Sequence, residues 1–175
     1  VIRSVMPDDG IFISGMTQIG YYSRNKFEVY EPRTYITSSY YGNLGYAYPT
    51  ALGAKVAQPD KAVVAVCGDG GFMFNVQELA TAAKHQINVV AVVFNDNAYG
   101  NVMRDQVNMF DGREYGAEVH NPDFMKLAEA FGVRGVRVEG GAPELGKAVQ
   151  ESLEIEAPTL IEVPVGPMPN PFRDY

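Results

Sequence analysis

The sequence predicts a three-layer α/β protein, in which a doubly wound, mainly parallel sheet carries helices on both faces. Short apolar runs alternate along the chain with longer stretches of helical pattern. The clearest apolar runs are Lys61–Cys67 and Asn88–Phe94, which are rich in Val and Ala, as strands buried on both faces are. Between them, Val76–His85 is an Ala-rich helical stretch preceded by a capping-box-like Asn75-x-x-Glu78.

The remaining elements follow from local signals. Asn121-Pro122 supplies an N-cap and a first-turn proline for a helix that Gly132 ends, and Pro49 fits a helix whose geometry begins near it. The predicted strands are Ile11–Ser14, Arg33–Thr37, Lys61–Cys67, Asn88–Phe94, Val133–Val138 and Thr159–Val165. The predicted helices are Gly45–Ala57, Val76–His85, Asp123–Phe131 and Pro143–Leu153, and residues 166–175 are expected to form an extended tail.

Composition indicates one globular domain over residues 1–175. Its 46% hydrophobic and 11% aromatic content is enough for a buried core. Fourteen basic against 21 acidic residues give a net charge of −7, which argues against a nucleic-acid partner. A lone Cys67 excludes a disulfide framework and fits a reducing cytoplasm. No apolar run approaches the ~18 residues of a membrane span, so no membrane partner is expected.

Two acidic turns are the most informative feature of the chain. Gly68-Asp69-Gly70-Gly71 follows one buried strand, and Asn95-Asp96-Asn97 follows the next, 27 residues later. Open α/β sheets bind ligands outside the carboxyl ends of their strands. If the two strands are neighbours, the carboxylates of Asp69 and Asp96 converge there. Such hard oxygen ligands suit Mg²⁺ or Ca²⁺ better than zinc or copper.

The same turns exclude the commoner phosphate sites. No Gly-rich run ends in Lys-Ser/Thr, and a dinucleotide fingerprint would need glycine where Met73 stands. Asp69 would repel a bare anion, whereas a bridging cation lets two carboxylates hold a diphosphate. The sequence therefore favours metal-bridged diphosphate binding. The alternative is a tight turn in which Asp69 caps the helix that follows.

These turns resemble the signature of the thiamine-diphosphate (ThDP) enzymes, in the group of acetolactate synthase, benzoylformate decarboxylase and pyruvate decarboxylase. The resemblance includes Gly42–Pro49 upstream, which is similar to the Gly-x-Met/Leu-Gly-x-x-x-Pro element of that group. Downstream it includes Gln77-Glu78-Leu79 and Tyr99-Gly100, and it covers the chain from about Gly15 to Val165. It implies ThDP and Mg²⁺ as cofactors.

Carried over residue by residue, the resemblance implies a role for each position near the diphosphate. Asp69, Asp96 and the backbone carbonyl of Ala98 would be the metal ligands. Asp96 stands where relatives often have Asn and adds one negative charge. Backbone N–H groups toward the diphosphate would come from Gly70, Gly71, Tyr99 and Gly100. Met16 and Thr17 fall where relatives contact the same phosphates.

Two further positions would act on the reacting part of the cofactor. The resemblance implies that Leu44 lies beneath ThDP and holds it in a bent form. The Gly42 carbonyl would accept a hydrogen bond from the cofactor's 4′-amino group. That bend brings the amino group beside the thiazolium carbon that it must deprotonate.

The resemblance also implies that this chain needs partners. In relatives, a glutamate from a separate pyrimidine-binding domain is supplied across a subunit interface, so a homodimer or homotetramer is expected. Nothing in the sequence resembles that domain. We therefore expect a fragment of a longer multi-domain chain or a separately encoded subunit, inactive by itself.

The substrate implied is a 2-oxo acid, to be decarboxylated or joined to a second carbonyl compound. Acetolactate synthases carry a Trp in the run after the second turn, where this chain has Asp105, and this chain has no Trp. That difference argues against acetolactate synthesis and leaves decarboxylase and carboligase open. Two other readings are a non-catalytic interaction or regulatory module that keeps the acidic site, and a flavodoxin-like binder of another nucleotide.

Two segments allow alternatives. Eight of the eleven tyrosines lie in the first 48 residues, which fits either a protein-contact surface or ordinary scattered exposure. Residues 101–120 fit either a mobile lid or a short amphipathic helix followed by a loop. His85 and His120 are interpreted as structural residues.

Overall fold

The computed structural model describes residues 1–38 and 40–166, so most of the tail expected at 166–175 lies outside the described residues. The strands are β1 (Ile11–Ser14), β2 (Tyr35–Thr37), β3 (Val63–Gly68), β4 (Val90–Asn95), β5 (Arg134–Arg137) and β6 (Thr159–Pro164). The helices are α1 (Ile2–Val5), α2 (Gln18–Lys26), α3 (Ala47–Ala57), α4 (Asp69–Met73), α5 (Glu78–His85), α6 (Gly100–Met109), α7 (Phe124–Phe131) and α8 (Ala142–Glu154).

The six strands form one sheet in the order β2-β1-β3-β4-β6-β5, and all five neighbouring pairs are parallel. From β1 the chain moves outward to β2, then returns to place β3 on the other side of β1 and continues away from it. The direction of winding therefore reverses between β1 and β3. In open parallel sheets, this reversal leaves a crevice at the carboxyl ends of the two strands.

Separate hydrophobic cores cover the two faces of the sheet. Val63, Ala65 and Cys67 of β3 point into one core, with α3, α5 and α7, and Val64 and Val66 point into the other. The second core includes side chains of α1, α2 and α8. This alternation within a single strand confirms the predicted three-layer arrangement. None of the helices in the described part of the chain has the length and apolar character to cross a bilayer.

The structure corrects several sequence predictions. α2 was not predicted because it lacks an apolar stripe: its buried residues are Gln18 and Gly20. α4 was not predicted because Gly-rich turns disfavour helix. α1 was also not predicted. For residues 101–120, the structure shows the helix-plus-loop alternative, with α6 followed by a loop.

The N-cap of α7 is Asp123 rather than the expected Asn121. The Asp123 carboxylate accepts hydrogen bonds from the backbone N–H groups of Met125 (3.0 Å) and Lys126 (3.3 Å). The Asn121 side chain is therefore free for other contacts. At the start of α5, Asn75 does not act as the expected cap either, because its amide donates to the Gly45 carbonyl at 2.8 Å.

We expect Val92→Ala to lower the free energy of unfolding by about 2 kcal/mol, because two methyl groups leave a fully buried site in the centre of the sheet. The matched control is Val56→Ala on α3, where the side chain is 66% exposed and alanine is the better helix former. Urea denaturation of both variants measures the difference. Equal effects of the two substitutions would contradict the burial of β4.

We expect Asp123→Ala to destabilise the protein at neutral pH and much less in acid. Backbone N–H donors, chiefly that of Lys126, lower the pKa of Asp123 below its ordinary value of 3.8. A lowered folded-state pKa gives stability that is present above the unfolded-state pKa and is lost as pH falls through the folded-state pKa. Urea denaturation at pH 7 and at about pH 3 should show the gap between wild type and variant closing. Asp60→Ala, at an exposed position, should show no comparable gap at either pH.

Candidate functional site

A cleft of about 240 Å³ lies at the crevice between the carboxyl ends of β1, β3 and β4. Its walls come from the loops that follow these strands and from the segment before α3. All eleven residues expected from the sequence line it: Met16, Thr17, Gly42, Leu44, Asp69, Gly70, Gly71, Asp96, Ala98, Tyr99 and Gly100. The fold thus gathers these positions from four separate segments into one cavity.

Asp69 is the buried acid of the cleft, with 1% of its surface exposed. It is the first residue of α4, whose N-cap is Gly68, and no side chain caps that helix. The alternative in which Asp69 caps the following helix is therefore wrong. Instead, its carboxylate accepts a hydrogen bond from the Asn121 side chain at 2.6 Å.

Asp96 is the second acid of the cleft, and the charge of Asp69 is part of its environment. Burial, and then the negative charge of Asp69, raise the pKa of the Asp96 carboxyl to about 6. One of its oxygens accepts a hydrogen bond from the backbone N–H of Ala98 at 3.2 Å. Asn97, between them, adopts a left-handed conformation (φ 56°), which Asn tolerates better than most residues. This local turn aims the second carboxylate at the first.

The Ala98 backbone is fixed by a short antiparallel bridge to Glu118. The bridge uses the N–H of Tyr99, which donates to the Ala117 carbonyl at 2.7 Å. The expectation that the Tyr99 N–H faces a diphosphate is therefore at odds with this structure. The Ala98 carbonyl, by contrast, enters no backbone hydrogen bond of the described residues and remains available as a ligand.

Two glycines of the cleft, Gly70 and Gly100, stand where a side chain would collide. A Cβ on Gly100 would lie 2.5 Å from Oδ2 of Asp96, and one on Gly70 would lie 2.5 Å from the ring of Tyr99. Gly70 and Gly71 belong to the first turn of α4, and Gly100 begins α6. N–H groups in a first turn have no partner within the helix, so they can meet an anion.

The apolar wall is formed around Leu44, which is 36% exposed at the cleft. Its Cδ2 would lie 3.6 Å from a Cβ on Gly71. Gly42 has a positive φ of 65°, and a Cβ there would lie 2.9 Å from Cε of Met16. Leu44 and Met16 thus add apolar surface to the lining of the cleft.

The donor set fits a hard divalent cation. The carboxylates of Asp69 and Asp96 and the backbone of Ala98 line the same cleft, and a cation would relieve the repulsion between the carboxylates. Among residues 1–38 and 40–166 no group of three or more His, Cys, Asp and Glu side chains is placed to hold a metal. A cation here would therefore complete its coordination with ligand oxygens and water, as Mg²⁺ commonly does.

Sequence reasoning missed several residues of this site. Gln18 lines the cleft and is buried, and its Oε1 accepts a hydrogen bond from Arg104, which also donates to Asn101. Asn121 contacts Asp69 from a distant segment. The sequence did contain one signal of a buried polar network. Glu162 is an acid within the apolar strand β6, and a buried acid requires hydrogen-bonding partners.

Comparison with known proteins agrees with this geometry. Residues 15–163 match the family model described as "Thiamine pyrophosphate enzyme, C-terminal TPP binding domain". A probable acetolactate synthase large subunit from Methanococcus aeolicus is 38% identical over 81% of this chain and 24% of its own length. A sulfoacetaldehyde acetyltransferase from Castellaniella defragrans is 32% identical over 93% of this chain and 28% of its own length.

Among solved structures, a Rhodococcus jostii thiamine diphosphate-dependent 4-hydroxybenzoylformate decarboxylase superposes with a TM-score of 0.86 and 32% identity. The match covers 94% of this chain and 31% of that one. The chain thus spans about a quarter to a third of the relatives that it matches. It belongs to the thiamine pyrophosphate enzyme family and corresponds to the C-terminal TPP-binding domain.

Proposed function

We propose that this chain binds the diphosphate of ThDP through Mg²⁺ and serves a decarboxylase or carboligase that acts on a 2-oxo acid. The observation that carries the proposal is the convergence of Asp69 and Asp96 in a glycine-lined cleft. Asp69, Asp96 and the Ala98 carbonyl would hold the metal. The phosphates would lie against Gly70, Gly71 and Gly100, where no side chain blocks the backbone, and against Met16 and Thr17.

Leu44 and Gly42 would orient the cofactor for reaction. When bound, ThDP supplies an electron sink, which would accept the electron pair of the bond to the departing carboxylate. The exposed side chain of Leu44 gives the cleft a hydrophobic support beside Gly71. The glycine at position 42 allows its backbone to take a left-handed turn against Met16, which would present the carbonyl to the 4′-amino group.

The first turns of α6, which begin beside the cleft, are more polar than a Trp at position 105 would make them. Asp105 is half-buried on α6, and its carboxylate accepts a hydrogen bond from Asn101 at 3.4 Å. Asn101 itself lines the cleft. This polar wall supports a substrate other than that of acetolactate synthases, and it leaves both decarboxylation and carboligation as outcomes for the bound 2-oxo acid.

The exposed aromatic rim next to Leu44 supports a partner surface. Tyr40 and Tyr41, which line a neighbouring depression together with Leu44, are 87% and 84% exposed, and Phe74, next to Gly45, is 56% exposed. Aromatic residues are enriched in the buried parts of protein interfaces. We propose that a pyrimidine-binding domain covers this rim and supplies the activating glutamate, from the same polypeptide or another subunit of a cytoplasmic homodimer or homotetramer.

We expect ThDP binding to require Mg²⁺ and the Asp69 carboxylate. Calorimetric titration of the complete native polypeptide with ThDP should give binding with Mg²⁺ and much weaker binding with EDTA. Asp69→Ala should weaken the Mg²⁺-dependent binding at least about a hundredfold, because loss even of a ligand's outer partner commonly costs about 10–100-fold in metal affinity.

Asp60→Ala is the matched control for Asp69→Ala. Asp60 is exposed on the loop before β3, at the amino-terminal end of that strand, whereas the cleft lies at the carboxyl end. It should bind ThDP as the wild type does. Equal ThDP affinity with and without metal would overturn the proposed site. Normal metal-dependent binding without turnover of any 2-oxo acid would favour a non-catalytic module instead.

We expect Leu44→Ala to reduce kcat for 2-oxo-acid decarboxylation by about tenfold or more and to change ThDP affinity less. The physical reason is that a misplaced reacting group slows the chemical step while the diphosphate contacts persist. Leu127→Ala, at a half-buried position on α7 away from the cleft, is the matched control and should keep kcat. A fall in ThDP affinity with kcat intact would contradict the orienting role of Leu44.

A further inference from the structure

Asn121 occupies a position in the cleft that the proposed function leaves unexplained. Its side-chain amide nitrogen lies 2.6 Å from Oδ2 of Asp69, 2.9 Å from Oδ1 of Asn95 and 3.3 Å from Oδ1 of Asn97. A carboxylate can only accept hydrogen bonds, so the amide nitrogen must be the group that faces Asp69. One neutral side chain thus ties the start of α4 to the end of β4 and to the loop that follows β4.

One acceptor of Asn121, the Asn95 side chain, is itself held by an ion pair whose acid is buried. The Asn95 side chain donates to Oε1 of Glu162 at 2.8 Å, and Oε2 of Glu162 accepts from Nε of Arg137 at 2.8 Å. Glu162 is only 3% exposed, in the middle of β6. Hydrogen bonds of charged groups in such surroundings are strong and costly to break. The amide of Asn95 therefore has little freedom to rotate away from Asn121.

A second route fixes Asn121 along the chain. Arg137 also lies 3.6 Å from the carboxylate of Asp123, which caps α7 two residues after Asn121. The contacts form a closed ring that runs from Arg137 through Glu162 and Asn95 to Asn121, and back through Asp123. A closed ring restricts the position of Asn121 more than any one of its hydrogen bonds would.

The chemistry of the donor determines what this ring can do. Asn121 offers hydrogen-bond donors and no charge, so it orients the Asp69 carboxylate without neutralising it. A lysine or arginine at this position would cancel the negative charge that attracts a cation. The amide also occupies one carboxylate oxygen, which limits how the remaining lone pairs can meet a metal.

We propose that Asn121 is a positioning residue, held by the Arg137–Glu162–Asn95 network, that sets the Asp69 carboxylate for Mg²⁺ in preference to larger divalent ions. The inference rests on the proposed function of the cleft. Mg²⁺ requires near-ideal octahedral geometry at about 2.0–2.1 Å, whereas Ca²⁺ accepts irregular shells at about 2.3–2.6 Å. Loss of the amide should therefore harm Mg²⁺ binding more than Ca²⁺ binding.

The test measures ThDP binding to the complete native polypeptide by calorimetry, as a function of Mg²⁺ or Ca²⁺ concentration. We expect Asn121→Ala to raise the half-saturating Mg²⁺ concentration about tenfold, the range found for outer partners of metal ligands. The half-saturating Ca²⁺ concentration should rise less, so the variant should prefer Mg²⁺ over Ca²⁺ by a smaller factor than the wild type does. Asn121→Ser, which keeps a short hydroxyl donor, should fall between wild type and Asn121→Ala and covers the case in which the alanine variant does not fold.

The matched control is Asn88→Ala, which makes the same chemical change just before β4, at the strand end opposite Asn95. It should leave both half-saturating concentrations unchanged, and thermal melts without ligand report any general loss of stability. An unchanged Mg²⁺ requirement in Asn121→Ala, or an equal rise for both ions, would overturn the inference while the metal site stands. A wild type that binds ThDP equally with and without metal would overturn the proposed function and the inference with it.

Discussion

The constraint on which the rest of the site depends is the placement of two like charges at adjacent strand ends. β3 and β4 are parallel neighbours, with Gly68 paired to Phe94, so the turns that follow them must meet. Burial, and then the negative charge of Asp69, raise the pKa of Asp96. Hydrogen bonds from Asn121 and from the Ala98 N–H stabilise the pair only in part. The divalent cation that we propose would turn this unfavourable arrangement into a favourable one.

The sequence predicted the sheet and this pair because both depend on local chemistry. Buried parallel strands have a composition of their own, and an acid in a Gly-rich turn is visible without the fold. The polar network was not predictable in the same way. Asn121 lies 52 residues from Asp69, and Asn95 lies 67 residues from Glu162. The local signal at Asn121 pointed to helix capping instead, because Asn is a preferred N-cap residue and a proline follows it. In the structure Asp123 takes that role.

The errors at α2 and Tyr99 have a related cause. The buried residues of α2 are a glutamine and a glycine, so the helix has no apolar stripe. Its hydrophobic periodicity is therefore weak. The family resemblance implied that the Tyr99 N–H faces the diphosphate. Its partner, the Ala117 carbonyl, comes from the return of the chain after α6. Both elements depend on tertiary contacts that outweigh local propensity.

The cleft combines a rigid polar end and an open apolar end, and this difference has a physical basis. Asp69 is buried and hydrogen-bonded, so this proposed metal ligand is preorganised before anything binds. Near Leu44 the wall is exposed and flanked by the tyrosines of the rim. Metal coordination tolerates little displacement, whereas an apolar surface gains most of its stabilisation when a partner removes it from water. The geometry is therefore consistent with a domain that fixes the diphosphate by itself and leaves the reacting end of the cofactor to be enclosed by the proposed partner domain.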